Sequence, residues 1–457
     1  MFGYTRVMPQ VAQAGIVLAC LALFLAACGS APPPSRSPNV VLVVMESTRA
    51  DHLSCMGYSR TTTPNLDRLC REAHLFTRAQ SPSPWTRSSF ASIISGTWPM
   101  AHGVYSEDGR HVLSERFLTI HEFLKQKGYA TGAVYTIAHL AFGILQNIDT
   151  SHFLHTLPAD RVFHQAVEWI EGHKHTPFFL LLHFIDPHSP YDRHIPFTFS
   201  SDPTPRRDLA GLFFLFNHSY QDFLQAEPGT PWAKKLSDKE LAELTACYDS
   251  EIAYLDHYLG RLVDYLKYRG LWRNTVLIIT SDHGEEFFDH GGYWHGTTLY
   301  QELLHVPLII RVPGRGRGVW NQRVSTIDIF PTIMEITGGV PEENRQIQGL
   351  SLLPILNGRE PVKRPFFAAT QFRIPRTFSV LLDGYKLIYR PAPEKAEIYH
   401  IGRDPSERHD LARNKPLKER LLGLLNAELD RIQALPEQEA VQLDEETVEK
   451  LKTLGYM

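Results

Sequence analysis

Three metal-ligand side chains follow two apolar runs at the points where those runs stop. Glu46 ends the run NVVLVVMES, and Asp282 and His283 lie in the run VLIITSDHGEE at 276–286. Both runs have the β-branched composition of buried strands. Ligands of open α/β sheets bind at the carboxyl ends of strands, so the three residues are predicted to form one divalent-cation site. A single such residue would be interpreted as a helix cap or a solvated turn.

The elements that must position these residues alternate along the chain. Strand-like runs occur at 40–45, 131–135, 178–184, 276–280 and 306–311. Helix-like stretches occur at 65–73, 88–95, 119–127, 161–172 and 238–268. This alternation is typical of an α/β sheet covered on both faces. The Phe- and Pro-rich stretch 192–231 is interpreted as a loop over the site, with a structural lid as the alternative.

After residue 354 the pattern changes to short strands at 378–382 and 385–389, followed by helices at 417–435 and 445–454. These segments predict a small C-terminal α+β subdomain with an antiparallel sheet. The predicted divisions are therefore 1–27, 28–39, 40–354 and 355–457.

The first residues have the composition of a bacterial lipoprotein signal. The apolar stretch 15–27 is too short for a permanent transmembrane helix and ends in LAAC, so cleavage would leave Cys28 lipid-modified. An ordinary secretory peptide and an uncleaved anchor are the alternatives. Residues 28–39 predict a Pro- and Ser-rich tether to the cell envelope. Gly29 and Ser30 follow Cys28 in place of Asp, which favours the outer membrane in a Gram-negative host.

Composition excludes some classes of function. The chain is 43% hydrophobic and 21% charged, as in ordinary globular proteins. A net charge of −4 without a long basic run argues against nucleic acid as a partner. Cys55, Cys70 and Cys247 have no CxxC spacing, which argues against a zinc knuckle. One disulfide bond among these three cysteines is the alternative, and free thiols are favoured.

Five stretches resemble the alkaline phosphatase and sulfatase superfamily in that family's order. They are ESTRADHLSCMGYSRTTTPNLDRL, PWTRSSFASIISGTWPMAHGV, LLLHFIDPHSPY, SDHGEEFFDHGGYWHGTTLYQELLHVPLIIR and IDIFPTIMEITGG. The C-terminal KLKTLGYM is similar to the ending of many sulfatase-like proteins. The resemblance implies an α/β, alkaline phosphatase-like catalytic domain at 40–354. Its central sheet would be mixed, mostly parallel and flanked by helices.

The nucleophile position departs from the sulfatase pattern. Sulfatases carry CxPSR, whose Cys is oxidised to formylglycine ten residues before a helix-ending Gly; counting back from Gly96 gives Thr86. Ser88 and Phe90 replace the Pro and Arg of that motif, and formylglycine cannot be made from Thr. The phosphate-handling branches use a Thr nucleophile and have Glu at the position of Glu46. The resemblance thus implies Thr86 as nucleophile and fourth metal ligand, with a helix cap as the alternative.

Two histidines and an arginine complete the predicted site. His188, in DPHSPY, and His295 match positions that bind the substrate phosphate or a second metal ion in transferase-like relatives. Arg87 is a candidate to clamp the anion. His183 and His290 are nearby competitors, interpreted as structural or loop histidines.

Arg49 has two interpretations. It could also clamp the anion, or it could pair with Asp51 or Asp282 as part of the scaffold.

The resulting prediction is a metal-dependent phosphoester hydrolase or phospho-group transferase working through a covalent phosphothreonine on Thr86. The substrate would be an anionic ester, such as a phospholipid headgroup, a glycan or a small molecule. The ligand set favours Zn²⁺ or Mn²⁺, with Ca²⁺ or Mg²⁺ as alternatives. Transferase relatives usually carry several transmembrane helices before the catalytic domain, whereas only a signal and a tether are predicted here. Hydrolysis is therefore slightly favoured over transfer. The competing interpretations are a sulfate ester hydrolase without formylglycine and a catalytically degenerate lipoprotein that binds anions or glycans.

Overall fold

The computed structural model describes residues 37–105, 112–141, 143–199, 236–340, 346–372 and 374–433. The predicted signal at 1–27, most of the tether and the predicted helix at 445–454 lie outside the described residues. The first strand begins at Asn39, the last residue of the predicted tether. Within the described part of the chain, no helix combines the length and apolar character needed to cross a bilayer.

Fourteen strands occur in the described residues and fall into three sheets. They are β1 Asn39–Met45, β2 His74–Gln80, β3 Ala130–Tyr135, β4 Thr150–Phe153, β5 Phe178–Phe184, β6 Thr275–Ser281, β7 Glu286–Phe287, β8 Tyr293–Trp294, β9 His305–Arg311, β10 Gly318–Ser325, β11 Phe366–Thr370, β12 Thr377–Leu382, β13 Tyr385–Pro391 and β14 Glu394–His400. The main sheet has eight strands in the order β10-β2-β9-β6-β1-β5-β3-β4. Only β9 runs antiparallel to its neighbours in that sheet.

The described residues form ten helices. They are α1 Pro64–Leu69, α2 Thr86–Ser95, α3 Pro99–His102, α4 Ile120–Gln126, α5 Ala159–His173, α6 Asp238–Tyr268, α7 Gln301–Leu304, α8 Ile329–Ile336, α9 Leu353–Leu356 and α10 Lys415–Gln433. Short 3-10 turns occur at Ala50–His52, Ser54–Met56, Ala138–Leu140, Trp272–Asn274 and Thr326–Asp328. Helices α2, α4 and α8 pack on one face of the sheet, and α1, α5 and α6 pack on the other.

Strand β1 lies at the centre of the sheet, between β5 and β6, and runs parallel to both. Alternate residues of β1 enter the two cores, with Leu42 on one side and Val43 on the other. Burial on both faces explains why these strands are almost continuously apolar. Met45 is paired with Ser281, so the two predicted strand ends meet at one edge of the sheet.

The C-terminal part contains the predicted antiparallel sheet, with β11 to β14 in sequential order. Leu421 and Leu425 of α10 share a core with Phe378 and Val380 of β12. The fold class is therefore confirmed: a mostly parallel α/β sheet flanked by helices, with a small C-terminal antiparallel sheet. Cys55, Cys70 and Cys247 form no disulfide bond in the structure, which agrees with the thiol state that was favoured.

His102, at the end of α3, gives the fold a predicted sensitivity to acid. Its Nδ1 accepts a hydrogen bond from the Val104 N–H at 3.0 Å, so the proton lies on Nε2, which donates to Ser92 Oγ at 2.8 Å. Burial lowers the pKa of His102 to about 3, whereas an unfolded histidine has a pKa of about 6.5. Below about pH 6.5 the unfolded chain therefore binds a proton that the folded protein excludes.

The free energy of unfolding should consequently fall by up to about 1.4 kcal/mol per pH unit from this residue as the pH drops from about 6 to about 4. His102→Gln should flatten the pH dependence by that amount in urea unfolding followed by circular dichroism. His175→Gln, at an exposed histidine, is the control and should retain the wild-type slope. Parallel curves for wild type and His102→Gln would contradict the assignment.

Candidate active site

The structure brings Glu46, Asp282 and His283 together at the carboxyl edge of the main sheet. Glu46 follows β1, and Asp282 and His283 follow β6. All three side chains are fully buried, and one ligand atom from each lies within 4.8 Å of the others. His283 Nε2 is 3.3 Å from Asp282 Oδ2 and 3.6 Å from Glu46 Oε1. Two strand ends more than two hundred residues apart in sequence thus form one pocket.

Thr86 enters this pocket from the first turn of α2. The helix begins at Thr86, and Trp85 occupies the N-cap position without a capping hydrogen bond from its side chain. Thr86 Oγ1 donates to Glu46 Oε1 at 2.6 Å and lies 3.4 Å from His283 Nε2. Thr86 is therefore the first residue of the helix and not its cap. The helix N-terminus, where backbone amides favour anions, faces the cluster.

Neighbouring groups fix the orientation of the two carboxylates. The Thr136 N–H approaches His183 Nδ1 at 3.4 Å, which places the His183 proton on Nε2, and Nε2 donates to Glu46 Oε2. The Ser47 N–H donates to Asp282 Oδ1 at 3.0 Å. Ser47 has a φ of 50°, a left-handed conformation that is uncommon for a residue other than glycine. Such local strain is a feature of functional sites.

The neighbours of each group set the charges in the cluster. Burial would raise the pKa of the Glu46 carboxyl, but His183 and His283 hold it well below its usual range. Burial, followed by the charge of Glu46, raises the pKa of Asp282 to about 6. Burial opposes the charged form of His283, yet Asp282 and Glu46 raise its pKa to about 9. The pocket therefore attracts positive charge where the three side chains meet.

A divalent cation fits this donor set. Asp282 Oδ1 accepts hydrogen bonds from two backbone amides, whereas Oδ2 is buried without a hydrogen-bond partner in the structure. A buried, unsatisfied carboxylate oxygen is costly, and contact with a cation would satisfy it. His283 Nδ1 donates to the Gly284 carbonyl at 2.8 Å, so a cation that displaces the Nε2 proton would meet the Nε2 lone pair directed into the cluster. Glu46, Asp282 and His283 are therefore candidate ligands, with Thr86 as the fourth.

His188 and His295 lie side by side at the rim of the same pocket. The His295 ring is 5.1 Å from the His188 ring and 4.5 Å from the His283 ring. His188 Nδ1 donates to the Ser189 carbonyl at 2.6 Å, and His295 Nδ1 lies 2.9 Å from Glu285 Oε1. When neutral, both rings therefore carry a lone pair on Nε2. Burial, followed by the charge of His295, lowers the pKa of His188.

The predicted second cation near His188 and His295 finds no third ligand in the described ranges. Two clusters of at least three ligand-type side chains occur there, and neither includes His188 or His295. One is the cluster of Glu46, Asp282 and His283. A cation between His188 and His295 stays a prediction.

Arg87 follows Thr86 in α2, and its side chain is almost fully buried. Its charge acts on His139, whose pKa is lowered to about 4 by burial and then by Arg87, against the opposing effect of Glu46. Because Arg87 directly follows Thr86 in α2, its backbone lies beside the pocket. A guanidinium at this position suits the non-bridging oxygens of an anion.

Arg49 belongs to the scaffold. It forms ion pairs with Asp51 at 2.9 Å and with Asp289 at 2.8 Å, and it also donates to the Glu285 carbonyl. The predicted ion-pair partners of Arg49 were Asp51 or Asp282. The structure contains the pair with Asp51, and the second partner is Asp289 in place of Asp282.

The sequence interpretation underestimated His183 and missed Thr136 and Glu285. His183 was interpreted as structural, but it donates directly to Glu46. Its position at the end of β5, beside β1, was the signal that could have identified it. His290 pairs with Glu302 at 2.5 Å away from the cluster, in agreement with its structural interpretation.

Family comparisons agree with this architecture. The Sulfatase family model matches residues 38–340, and the model of the C-terminal part of N-sulphoglucosamine sulphohydrolase matches residues 289–434. The chain belongs to the sulfatase family, within the alkaline phosphatase superfamily. It is a hydrolase of that superfamily, whose members depend on metal ions.

Individual relatives include sulfatases and a multifunctional protein of the alkaline phosphatase superfamily, and a phosphonate monoester hydrolase is among the similar solved structures. An arylsulfatase of Clostridium perfringens is 24% identical over 452 residues, covering 84% of this chain and 92% of that protein. The multifunctional alkaline phosphatase superfamily protein PehA of Trinickia caryophylli is 26% identical over 407 residues, covering 71% and 78%. A phosphonate monoester hydrolase of Agrobacterium radiobacter has the same fold, with a TM-score of 0.71 and 22% identity over 89% of this chain and 99% of that chain.

Proposed function

We propose that this protein hydrolyses phosphoesters through a covalent phosphothreonine on Thr86, with a divalent cation held by Glu46, Asp282 and His283. The observation that carries the proposal is the Thr86 hydroxyl, which donates to Glu46 Oε1 at 2.6 Å inside the buried cluster. A Thr cannot supply formylglycine, so the sulfatase route to an activated nucleophile is closed. Among the relatives, PehA supports chemistry broader than sulfate ester hydrolysis.

Zn²⁺ or Mn²⁺ suits two carboxylates and an imidazole, and such an ion would favour the alkoxide of Thr86 and neutralise charge on the phosphate. The remaining work falls to the protein. The amides at the start of α2 and the Arg87 guanidinium bind non-bridging oxygens. Burial of the pocket strengthens these interactions by excluding water.

In the first half-reaction, Thr86 Oγ1 bonds to phosphorus as the bond between phosphorus and the leaving oxygen breaks. The hydrogen bond to Glu46 Oε1 orients the Thr86 hydroxyl, and the Thr86 proton is released to solvent as the oxygen becomes the nucleophilic alkoxide. His295, which Glu285 supports through Nδ1, donates the proton from Nε2 to the leaving oxygen.

In the second half-reaction, the neutral Nε2 of His295 takes a proton from the incoming water. That water bonds to phosphorus, the bond from phosphorus to Thr86 Oγ1 breaks, and the released Thr86 oxygen takes back a proton from solvent. His188 binds the phosphate oxygens on the side of the phosphate that is opposite His295. An alcohol in place of water would give transfer instead of hydrolysis by the same steps.

A substrate panel tests this function. Purified protein loaded with Zn²⁺ or Mn²⁺ should release phosphate or alcohol from phosphate mono- or diesters at least about 100-fold faster than sulfate from matched sulfate esters. The names of several relatives, among them the Clostridium arylsulfatase, favour sulfate ester hydrolysis as the second candidate. Turnover of sulfate esters alone would select that candidate. Ligand binding without any turnover would favour the degenerate binding lipoprotein.

The location of the enzyme is a separate part of the proposal. We propose that Cys28 carries a lipid that holds the protein at the bacterial cell envelope, at the outer membrane in a Gram-negative host. The protein should fractionate with membranes, because acyl chains partition into the bilayer. Cys28→Ser should lose incorporated fatty-acid label and membrane association, whereas Cys20→Ser, within the same leader, should keep both. Unchanged labelling of Cys28→Ser would contradict acylation at this residue.

A further inference from the structure

A second cluster of ligand-type side chains lies outside the proposed catalytic pocket. Asp186, His194 and Glu251 each offer one ligand atom within 4.8 Å of the others. Asp186 and His194 belong to the segment that follows β5, and Glu251 lies on α6. The cluster therefore joins two elements that are distant in the sequence.

The two carboxylates are deeply buried, with Asp186 5% and Glu251 4% exposed. His194 Nε2 lies 2.8 Å from Glu251 Oε2, and the side chain of His194 is 21% exposed. The imidazole is therefore the side of the cluster that solvent can reach. It also stacks on Tyr254 at 3.9 Å between ring centroids, which fixes the plane of the ring.

Asp186 provides the independent sign of a missing ligand. Its Oδ1 accepts a hydrogen bond from the Ala159 N–H at 2.9 Å, whereas its Oδ2 is buried without a hydrogen-bond partner in the structure. A buried carboxylate oxygen left in this state is costly. Two buried carboxylates beside each other add mutual repulsion, which a cation between them would remove.

We infer that Asp186, His194 and Glu251 form a second divalent-cation site, separate from the proposed catalytic one. Ligand atoms of one Zn²⁺ stand about 3–4 Å apart, so side-chain movements below about 1 Å would close the cluster around an ion. Two carboxylates and an imidazole suit Zn²⁺ or Mn²⁺, and a water molecule on the exposed side of His194 would complete the tetrahedron.

The role of this ion would be structural. It would tie the segment 186–194 to α6, and that segment also carries His188 at the rim of the pocket. The inference of this second site does not depend on the proposed reaction. Among the described contacts, its residues do not touch Thr86 or the cluster of Glu46, Asp282 and His283.

Metal counting separates the two sites. The full chain is stripped with chelator, refilled with ZnCl₂ and desalted, and zinc is measured by mass spectrometry. Wild type should retain two ions per chain, and Glu251→Gln and His194→Gln should each retain one. Asp282→Asn should also retain one, whereas the double variant Asp282→Asn with Glu251→Gln should retain none. Glu243→Gln, at another buried glutamate of α6, is the matched control and should retain two.

Anomalous diffraction at the zinc edge then places the ions in wild-type crystals, which removes any dependence on how well the variants fold. A peak within about 2.5 Å of Asp186, His194 and Glu251 supports the inference. Absence of that peak, zinc bound there only at millimolar concentration, or folded Glu251→Gln and His194→Gln proteins with wild-type zinc content would each overturn it. If the zinc peak is absent at Asp282 but present at Asp186, His194 and Glu251, the result counts against the proposed function and not against this site.

Discussion

Thr86→Ala should abolish phosphoester turnover, with kcat reduced at least about 10⁴-fold, because removal of a covalent nucleophile leaves only binding and electrostatic catalysis. The fold should persist, since Thr86 is the first residue of α2 and does not cap it. Thr86→Ser should keep measurable activity because the hydroxyl remains. Steady-state kinetics on a phosphodiester and circular dichroism of the three proteins provide the comparison.

Ser95→Ala is the matched control for this experiment. Ser95 ends the same helix, and its hydroxyl donates to the Ala91 carbonyl at 2.6 Å, away from the cluster. Its loss should lower stability by about 1 kcal/mol and leave kcat within about twofold of wild type. A Thr86→Ala enzyme with the wild-type rate would reduce Thr86 to a structural residue.

Asp282→Asn should remove the ion from the proposed catalytic site and lower the rate by at least about 10³-fold, because the ion's charge stabilisation is worth several kcal/mol. The amide keeps an oxygen that can accept the two backbone hydrogen bonds now made to Oδ1. It replaces Oδ2, which has no hydrogen-bond partner, by a hydrogen-bond donor that cannot bind metal. The substitution thus removes the ligand with little change of shape.

Zinc content and calorimetric titration with ZnCl₂ measure this effect. One ion per chain should be lost, and affinity at that site should fall at least about 100-fold. Asp256→Asn is the control, because Asp256 is also buried but caps α1 through Asn65 and Leu66. It should alter stability and leave the zinc content unchanged. Full zinc content in a folded Asp282→Asn protein would remove Asp282 from the ligand set.

The central strands could be read from sequence because burial on both faces leaves little choice of residue. The bounds of β5 and α6 agree with the predicted 178–184 and 238–268. Other elements were missed where that constraint weakens. Strand β2, HLFTRAQ, mixes polar and apolar residues, and the predicted helix at 65–73 ends earlier, at Leu69. Strand β10 lies at the edge of the sheet, where Asn321 is exposed and Gln322 and Arg323 are only partly buried.

The residues of the candidate site also differ in how far the sequence alone could identify them. Glu46 and Asp282 were recognisable because each ends a run that must be a strand, and Thr86 because of its spacing from Gly96. His183 was harder to identify, since its role depends on β5 lying beside β1, and sheet order is a tertiary property. The cluster of Asp186, His194 and Glu251 depends on how α6 packs against the segment after β5, which no local pattern encodes.

Mass spectrometry of the enzyme trapped with a slowly hydrolysed phosphodiester tests the central claim most directly. Rapid acid quenching followed by proteolysis should yield a peptide containing Trp85 and Thr86 that carries the phosphoryl group on Thr86, and Thr86→Ala should yield no such adduct. An adduct on another residue would contradict the account. Steady turnover without phosphate on the Thr86 peptide of the quenched enzyme would also contradict the account. The control is a chemically phosphorylated standard of that peptide, which must survive the same quench.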